Sequence, residues 1–168
     1  MEINKNQAYL SSKLDNFRFN LKRGNGHLFS YMLDRIRWHL FPRMKIVSKF
    51  PTHIDLELSN ACNLGCPMCY TTTDEFKSKI KKNLLDFDLY KKIIDEASEI
   101  GTYSINLNLL NEPLINPELV KMIKYAKDKG IVDVHFHSHG GLLTEHKAYE
   151  LIDSGLDKLL ISIDSPKK

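Results

Sequence analysis

The sequence predicts an α/β fold: a partial (βα) barrel of about four parallel strands, preceded by a helical extension at the N-terminus. Three observations carry this. From residue 53 onward, short strand-like runs alternate with segments of helical period, the pattern of βαβ units in a parallel sheet. Cap residues and glycines fall where those helices would start and stop. Each strand also has one apolar and one polar face, unlike the nearly continuous apolar strands of a sheet covered on both sides.

The expected strands are "HIDLELSN" (53–60), "YSINLNLL" (103–110), "VDVHFHSH" (132–139) and "DKLLISID" (157–164). The first helix is "DFDLYKKIIDEASEI", with Phe87, Ile93, Ile94, Ala97 and Ile100 on its apolar face and Gly101 as its stop. The second takes Asn116 as N-cap, Pro117 at its first position and Glu118 in its first turn, and ends at Gly130. The third runs from Thr144 to Gly155.

Period-two alternation assigns the strand faces. Ile54, Leu56 and Leu58, then Ile105, Leu107 and Leu109, then Val134 and Phe136, then Leu159, Ile161 and Ile163 should lie under the helices. The opposite face carries Asp55, Glu57, Ser59, Ser104, Asn106, Asn108, His135, His137, His139, Ser162 and Asp164. A closed eight-stranded barrel fills its interior with Val, Ile and Leu. A polar inner face instead suits a wide or open barrel whose lumen holds water, a polar cofactor or a substrate.

At 168 residues, the chain suffices for one domain with a real core. Its 42% hydrophobic and 27% charged residues are ordinary globular values, and no apolar run approaches the span of about 18 residues that crosses a bilayer. The N-terminus has no signal-peptide pattern, so a cytoplasmic location is expected. The net charge of +3 is uneven: residues 1–50 carry ten Lys or Arg against three Asp or Glu, and residues 51–168 carry fourteen against eighteen. This divides the chain into a basic helical extension, 1–50, and a mildly acidic core domain, 51–168. In the extension, "LFSYMLDRIRWHLFPRMKI" reads as an amphipathic helix with Phe29, Met32, Leu33, Ile36 and Leu40 on one stripe. Such a helix most often packs on its own domain, and a basic one also suits an anionic membrane surface. No nucleic-acid-binding motif accompanies the charge, so none is expected as a partner.

All three cysteines fall in "CNLGCPMC", directly after the first strand. Functional groups of parallel α/β proteins gather at such carboxyl-terminal loops. An odd number of closely spaced cysteines is not a disulfide framework. Structural zinc wants four ligands, whereas a 4Fe-4S cluster on three thiolates leaves one iron open, so C-x3-C-x2-C at Cys62, Cys66 and Cys69 points to the cluster. The alternatives are zinc completed by a histidine, a non-catalytic cluster-binding module, and a metal-dependent hydrolase built on His135, His137 and His139.

The motif in this place resembles the radical S-adenosylmethionine (SAM) superfamily. "NEPLINPEL" after the second strand resembles the family's G-G-E-P segment, "SHGGLLTE" its T-N-G-x-L-L-T segment, and "SGLDKLLISIDS" its S-G-L-D-x-x-x-I-S-I-D-G segment. The resemblance implies the N-terminal part of a radical SAM core domain, a family barrel that ordinarily has six strands, cut after the fourth. It implies that Cys62, Cys66 and Cys69 ligate three irons and that SAM chelates the fourth. Reductive cleavage would then give a 5'-deoxyadenosyl radical that abstracts hydrogen from a small-molecule or peptide substrate. Carried over by position, Met68 lies near the adenine, and Asn111, Glu112 and Pro113 approach the SAM amino group. His139, Ser162 and Asp164 approach the ribose or methionine carboxylate. Asn111 stands in place of a family glycine and His139 in place of an asparagine. The electron donor implied is of reduced flavodoxin or ferredoxin type.

Overall fold

The computed structural model describes residue 14 and residues 28–163. Its elements are helix α1 (Leu28–Met44), strand β1 (His53–Asp55), helix α2 (Asp74–Lys79), helix α3 (Phe87–Glu99), strand β2 (Ser104–Asn106), helix α4 (Leu119–Asp128), strand β3 (Asp133–Ser138), helix α5 (Glu145–Asp153) and strand β4 (Lys158–Ile161). Short 3-10 turns span Tyr70–Thr72 and Pro113–Ile115. The sheet is wholly parallel, in the order β1-β2-β3-β4. Sequential order with a helix in each crossover is how the wall of a (βα) barrel is built.

The local signals act as the residue types dictate. The Asp86 carboxylate accepts from the N–H groups of Asp88 and Leu89 at the start of α3, and the Thr144 hydroxyl accepts from Lys147 N–H at the start of α5. Gly101, Gly130 and Gly155 follow α3, α4 and α5 at positive φ, the left-handed stop that glycine adopts without penalty. Asn116 does not cap α4 directly. Its side chain donates to Leu58 O at 3.0 Å and accepts from Glu118 N at 2.9 Å, so a turn precedes the helix, which begins at Leu119.

The core joins Leu58, Ile105, Leu107, Val134 and Phe136 of the sheet segments to Tyr90, Ile94 and Ala97 of α3, Met122, Ile123 and Ala126 of α4, and Leu151 of α5. Tyr90 is its largest buried side chain, and its hydroxyl donates to Met122 O at 3.0 Å. Burying each such side chain contributes about 1.5–3 kcal/mol, the principal force holding helices to sheet. The upper ends of the apolar faces depart from expectation: Leu109, Ile161 and Ile163 are exposed. The ladders are also shorter than the sequence pattern. Beyond Asn106 the backbone leaves the sheet, and the Glu57 carboxylate takes the N–H groups of Leu109, Leu110 and Asn111 at 3.1, 2.7 and 3.2 Å. A side chain thus satisfies donors that a longer ladder would have used.

The segment around Asp157 ties β4 to the rest. Asp157 Oδ2 accepts from Val134 N and Lys127 Nζ, both at 2.8 Å, and the ammonium also donates to Val132 O at 2.8 Å. Burial pushes the Asp157 carboxyl up while the hydrogen bonds from Lys127 and Val134 pull it back.

Helix α1 corrects a second expectation. Only Tyr31 and Asp34 are buried on it, while Phe29, Met32, Leu33, Ile36 and Leu40 are exposed. At 100° per residue the buried pair lies opposite that apolar stripe, so the helix rests on the face that pattern reading assigns to solvent. The Arg35 guanidinium pairs with Asp34 at 2.7 Å and lies over the rings of Tyr31 and Trp38. No helix among the described residues is long and apolar enough to cross a membrane.

Candidate functional site

Past β1 the chain turns at Ser59, whose hydroxyl accepts from Ala61 N at 3.1 Å, and enters the cysteine loop. Ala61 O accepts from Glu112 N at 3.2 Å, which fixes the loop's first residue against the segment following β2. Cys62, Cys66 and Cys69 are all unpaired and half-buried. The loop's far end is shaped by Cys69 N donating to Cys66 O at 3.0 Å and by the Thr72 hydroxyl donating to Cys69 O at 2.6 Å. The buried Thr71 hydroxyl lies 3.1 Å from Cys69 Sγ. A thiolate has no proton to give, so Thr71 is the donor whenever Cys69 is ionised. Sequence reasoning assigned Thr71 no role; its only signal is a hydroxyl two residues past the last cysteine.

The centre of the site is Glu112, 2% exposed. Its carboxylate accepts from Leu114 N at 3.1 Å, Ser138 Oγ at 2.9 Å and His139 N at 3.2 Å, and its Oε2 lies 3.2 Å from the Nε2 of the His139 ring. A buried charge is tolerable when its acceptor sites are filled this way. Ser138 Oγ accepts in turn from Gly140 N at 2.9 Å. Pro113, buried, opens the 3-10 turn behind Glu112. The Asn111 side-chain oxygen is buried and makes no hydrogen bond. An unfilled acceptor beside the cysteine loop suits a ligand's ammonium or N–H group.

The remaining residues singled out from the sequence take distinct places. Met68 is 71% exposed at the tip of the cysteine loop. Ser162 is exposed at the end of β4, with its N–H on Ser138 O at 2.9 Å. Asp164 lies outside the described residues.

Much of the polar inner face is occupied with itself. His53 Nδ1 is 3.0 Å from Ser104 Oγ, which donates to Asp133 Oδ2 at 2.8 Å, and Asn106 Nδ2 donates to Asp55 Oδ1 at 2.7 Å. Asn108 Oδ1 accepts from His137 N at 2.8 Å. The three strand histidines do not share a centre. His135 stacks on His53 and lies 3.4 Å from Asp133, whereas His139 turns to Glu112. Among the described residues no three His, Cys, Asp or Glu side chains are gathered to hold one metal ion. The histidine-metal reading therefore finds no shared centre at His135, His137 and His139, of the convergent kind a single tetrahedral ion needs. A cuboidal cluster places each thiolate on a different iron and needs no such convergence.

The Radical SAM superfamily model matches residues 56–168. A tungsten-containing aldehyde ferredoxin oxidoreductase cofactor-modifying protein of Pyrococcus furiosus is 29% identical over 113 residues, covering 67% of this chain and 30% of that protein. A probable GTP 3',8-cyclase of Methanococcus maripaludis is 31% identical over 110 residues, covering 66% and 35%. The PqqA peptide cyclase of Bradyrhizobium diazoefficiens is 31% identical over 112 residues, covering 67% and 28%. The matched part of the chain thus spans about a third of these relatives' length. The crystal structure of BtrN in complex with AdoMet and 2-DOIA shares the fold, with a TM-score of 0.61 at 20% identity over 73% of this chain and 49% of that one.

Two outcomes follow from this geometry. Glu112→Ala strands the donors of Leu114, Ser138 and His139 in a buried site and should lower stability by about 3 kcal/mol, read from urea unfolding. Burial, and secondarily the charge of Lys158, hold the His137 imidazole below its ordinary value. The unfolded chain therefore binds this proton first, and stability is lost as pH falls below about 6.5. His137→Asn should flatten that part of the urea-midpoint profile.

Proposed function

The chain belongs to the radical SAM superfamily, and on that premise we propose that it holds a 4Fe-4S cluster through Cys62, Cys66 and Cys69 and binds SAM at the open iron. The observation that carries this reading is the arrangement of the loop itself. Three unpaired, half-buried thiols lie in eight residues past the carboxyl end of β1, in a loop whose Ala61 and Asn63 bond to the segments that follow β2 and β3. When bound, the cluster and SAM supply a one-electron cleavage that yields methionine and a 5'-deoxyadenosyl radical able to take hydrogen from a substrate.

The chain's own residues bind and orient. Thr71 donates to the Cys69 thiolate, which stabilises its charge. The open acceptor of Asn111 takes the SAM amino group, and Glu112 with Pro113 holds the backbone around it at fixed height. Met68, exposed at the loop tip, offers an apolar surface to the adenine. His139 and Ser162 border the ribose and methionine carboxylate, and Asp164 is assigned there by sequence position alone.

Reduction requires an external one-electron donor, which we assign to the flavodoxin or ferredoxin type. Exposed Lys77, Lys81 and Lys82 follow the cysteine loop and suit an acidic partner surface. The relatives' names cover a nucleotide cyclase, a peptide cyclase and a cofactor-modifying protein. The proposal for this chain is accordingly confined to SAM activation, with a small-molecule or peptide substrate.

After anaerobic reconstitution with iron and sulfide, Cys62→Ala, Cys66→Ala and Cys69→Ala should each lose most bound iron and sulfide. Met68→Ala should keep both and bind SAM several-fold more weakly. Wild-type iron and sulfide content in the cysteine variants would contradict the ligand assignment.

A further inference from the structure

We propose that His139 is a positioning residue that couples the cysteine loop to Glu112 through Asn63. The geometry is specific. His139 Nε2 lies 2.9 Å from Asn63 Oδ1 and 3.2 Å from Glu112 Oε2, while His139 Nδ1 accepts from Gly141 N at 2.9 Å. Because Nδ1 is an acceptor, the ring proton sits on Nε2, so His139 reaches two oxygens: its ring N–H donates to Asn63 Oδ1, and its backbone N–H donates to Glu112 Oε2 at 3.2 Å. One belongs to the residue after Cys62. The other belongs to the buried carboxylate that joins the segments after β2 and β3.

Gly141 makes this possible. A Cβ there would stand 2.8 Å from both Cε1 and Nδ1 of His139, closer than real contacts allow. Gly141 carries no positive φ, so its role is space for the ring rather than backbone freedom. His139 and Gly141 form one unit, and an asparagine at 139 would be too short to reach Asn63 Oδ1 while accepting from Gly141.

The consequence is mechanical. Residues 62 to 65 are held to the sheet by the Ala61–Glu112 backbone bond and by this imidazole. Without the ring, the start of the loop has one anchor. Cys62 then moves relative to Asn111 and Glu112, which rest on the sheet independently of it through Glu57 and Ser138. That the coupled object is a cluster rests on the radical SAM reading; the coupling itself belongs to the metal-free chain.

The first test is hydrogen–deuterium exchange of the full metal-free chain over residues 62–72, with thermal unfolding alongside. Asn63→Ala and His139→Ala should each speed exchange in that segment about fivefold, and the double variant should add little to either. Gly141→Ala should match His139→Ala, yet have no effect when combined with it, because its clash is with the ring. Additive effects, or a Gly141→Ala effect that survives loss of the ring, would overturn the coupling.

On reconstituted protein, His139→Ala should change the electron paramagnetic resonance spectrum of the reduced cluster with SAM at wild-type iron content. His139→Gln, which keeps an N–H donor near the Nε2 position, should restore most of it. An unchanged spectrum with a loosened loop would overturn the positioning role and leave the ligand assignment standing. A wild-type protein that takes up no cluster would instead overturn the radical SAM reading, and the exchange data alone would decide the coupling.

Discussion

A carboxylate with almost no contact with water has to be answered by donors, and the carboxyl end of this sheet is arranged around that requirement at Glu112. Its three donors come from the turn that follows it and from Ser138 and His139 at the end of β3, with the His139 ring close by. Each bond to a charged acceptor contributes about 1.5–3 kcal/mol when buried, and removing any partner leaves the charge less compensated. The segments after β2 and β3 are therefore fixed relative to one another before any ligand arrives. The cysteine loop joins them through Ala61 O and Asn63. Three loops that the topology brings to one end of the sheet become one surface.

A second carboxylate works one layer away. Glu57 binds three successive N–H groups at 109–111, which bends the chain out of β2 and delivers Asn111 and Glu112 to the loop. The polar inner face that the sequence displays so clearly is thus divided in two. At the amino ends of the strands His53, Ser104 and Asp133 are linked to one another, and at the last residues of β1 and β2 Asn106 Nδ2 donates to Asp55 Oδ1. At the carboxyl ends the polar groups hold loops, and the open acceptors of Asn106 and Asn111 are left over. Polar strand faces here are first a means of tying neighbouring strands together, and only at one end do they form a site.

Periodicity and punctuation made the architecture legible. Asp86, Thr144 and the three helix-ending glycines mark α3 and α5 and the end of α4 where they are found, and four strands pair in chain order. The misses share a cause: local pattern cannot see a partner distant in sequence. Tyr90 reads as half-polar, yet Met122 O, 32 residues on, satisfies its hydroxyl and lets the ring enter the core. Leu109 alternates correctly but is turned out because Glu57, 52 residues earlier, captures its N–H. The stripe on α1 faces away because Tyr31, whose ring centroid lies 6.3 Å from that of Tyr103, and Asp34 take the buried face. For the site, the cysteine spacing was fully visible in the sequence. The bridge from Asn63 to His139 was not, since 76 residues separate its ends.

The most direct test of the account is electron paramagnetic resonance of the full chain, reconstituted anaerobically with iron and sulfide and then reduced, recorded with and without SAM. A reduced 4Fe-4S signal that changes when SAM is added is the predicted result, because three thiolates leave one iron for an outside ligand. A cluster signal indifferent to SAM, or no cluster signal at all, would contradict the central claim that this loop presents an open iron to SAM.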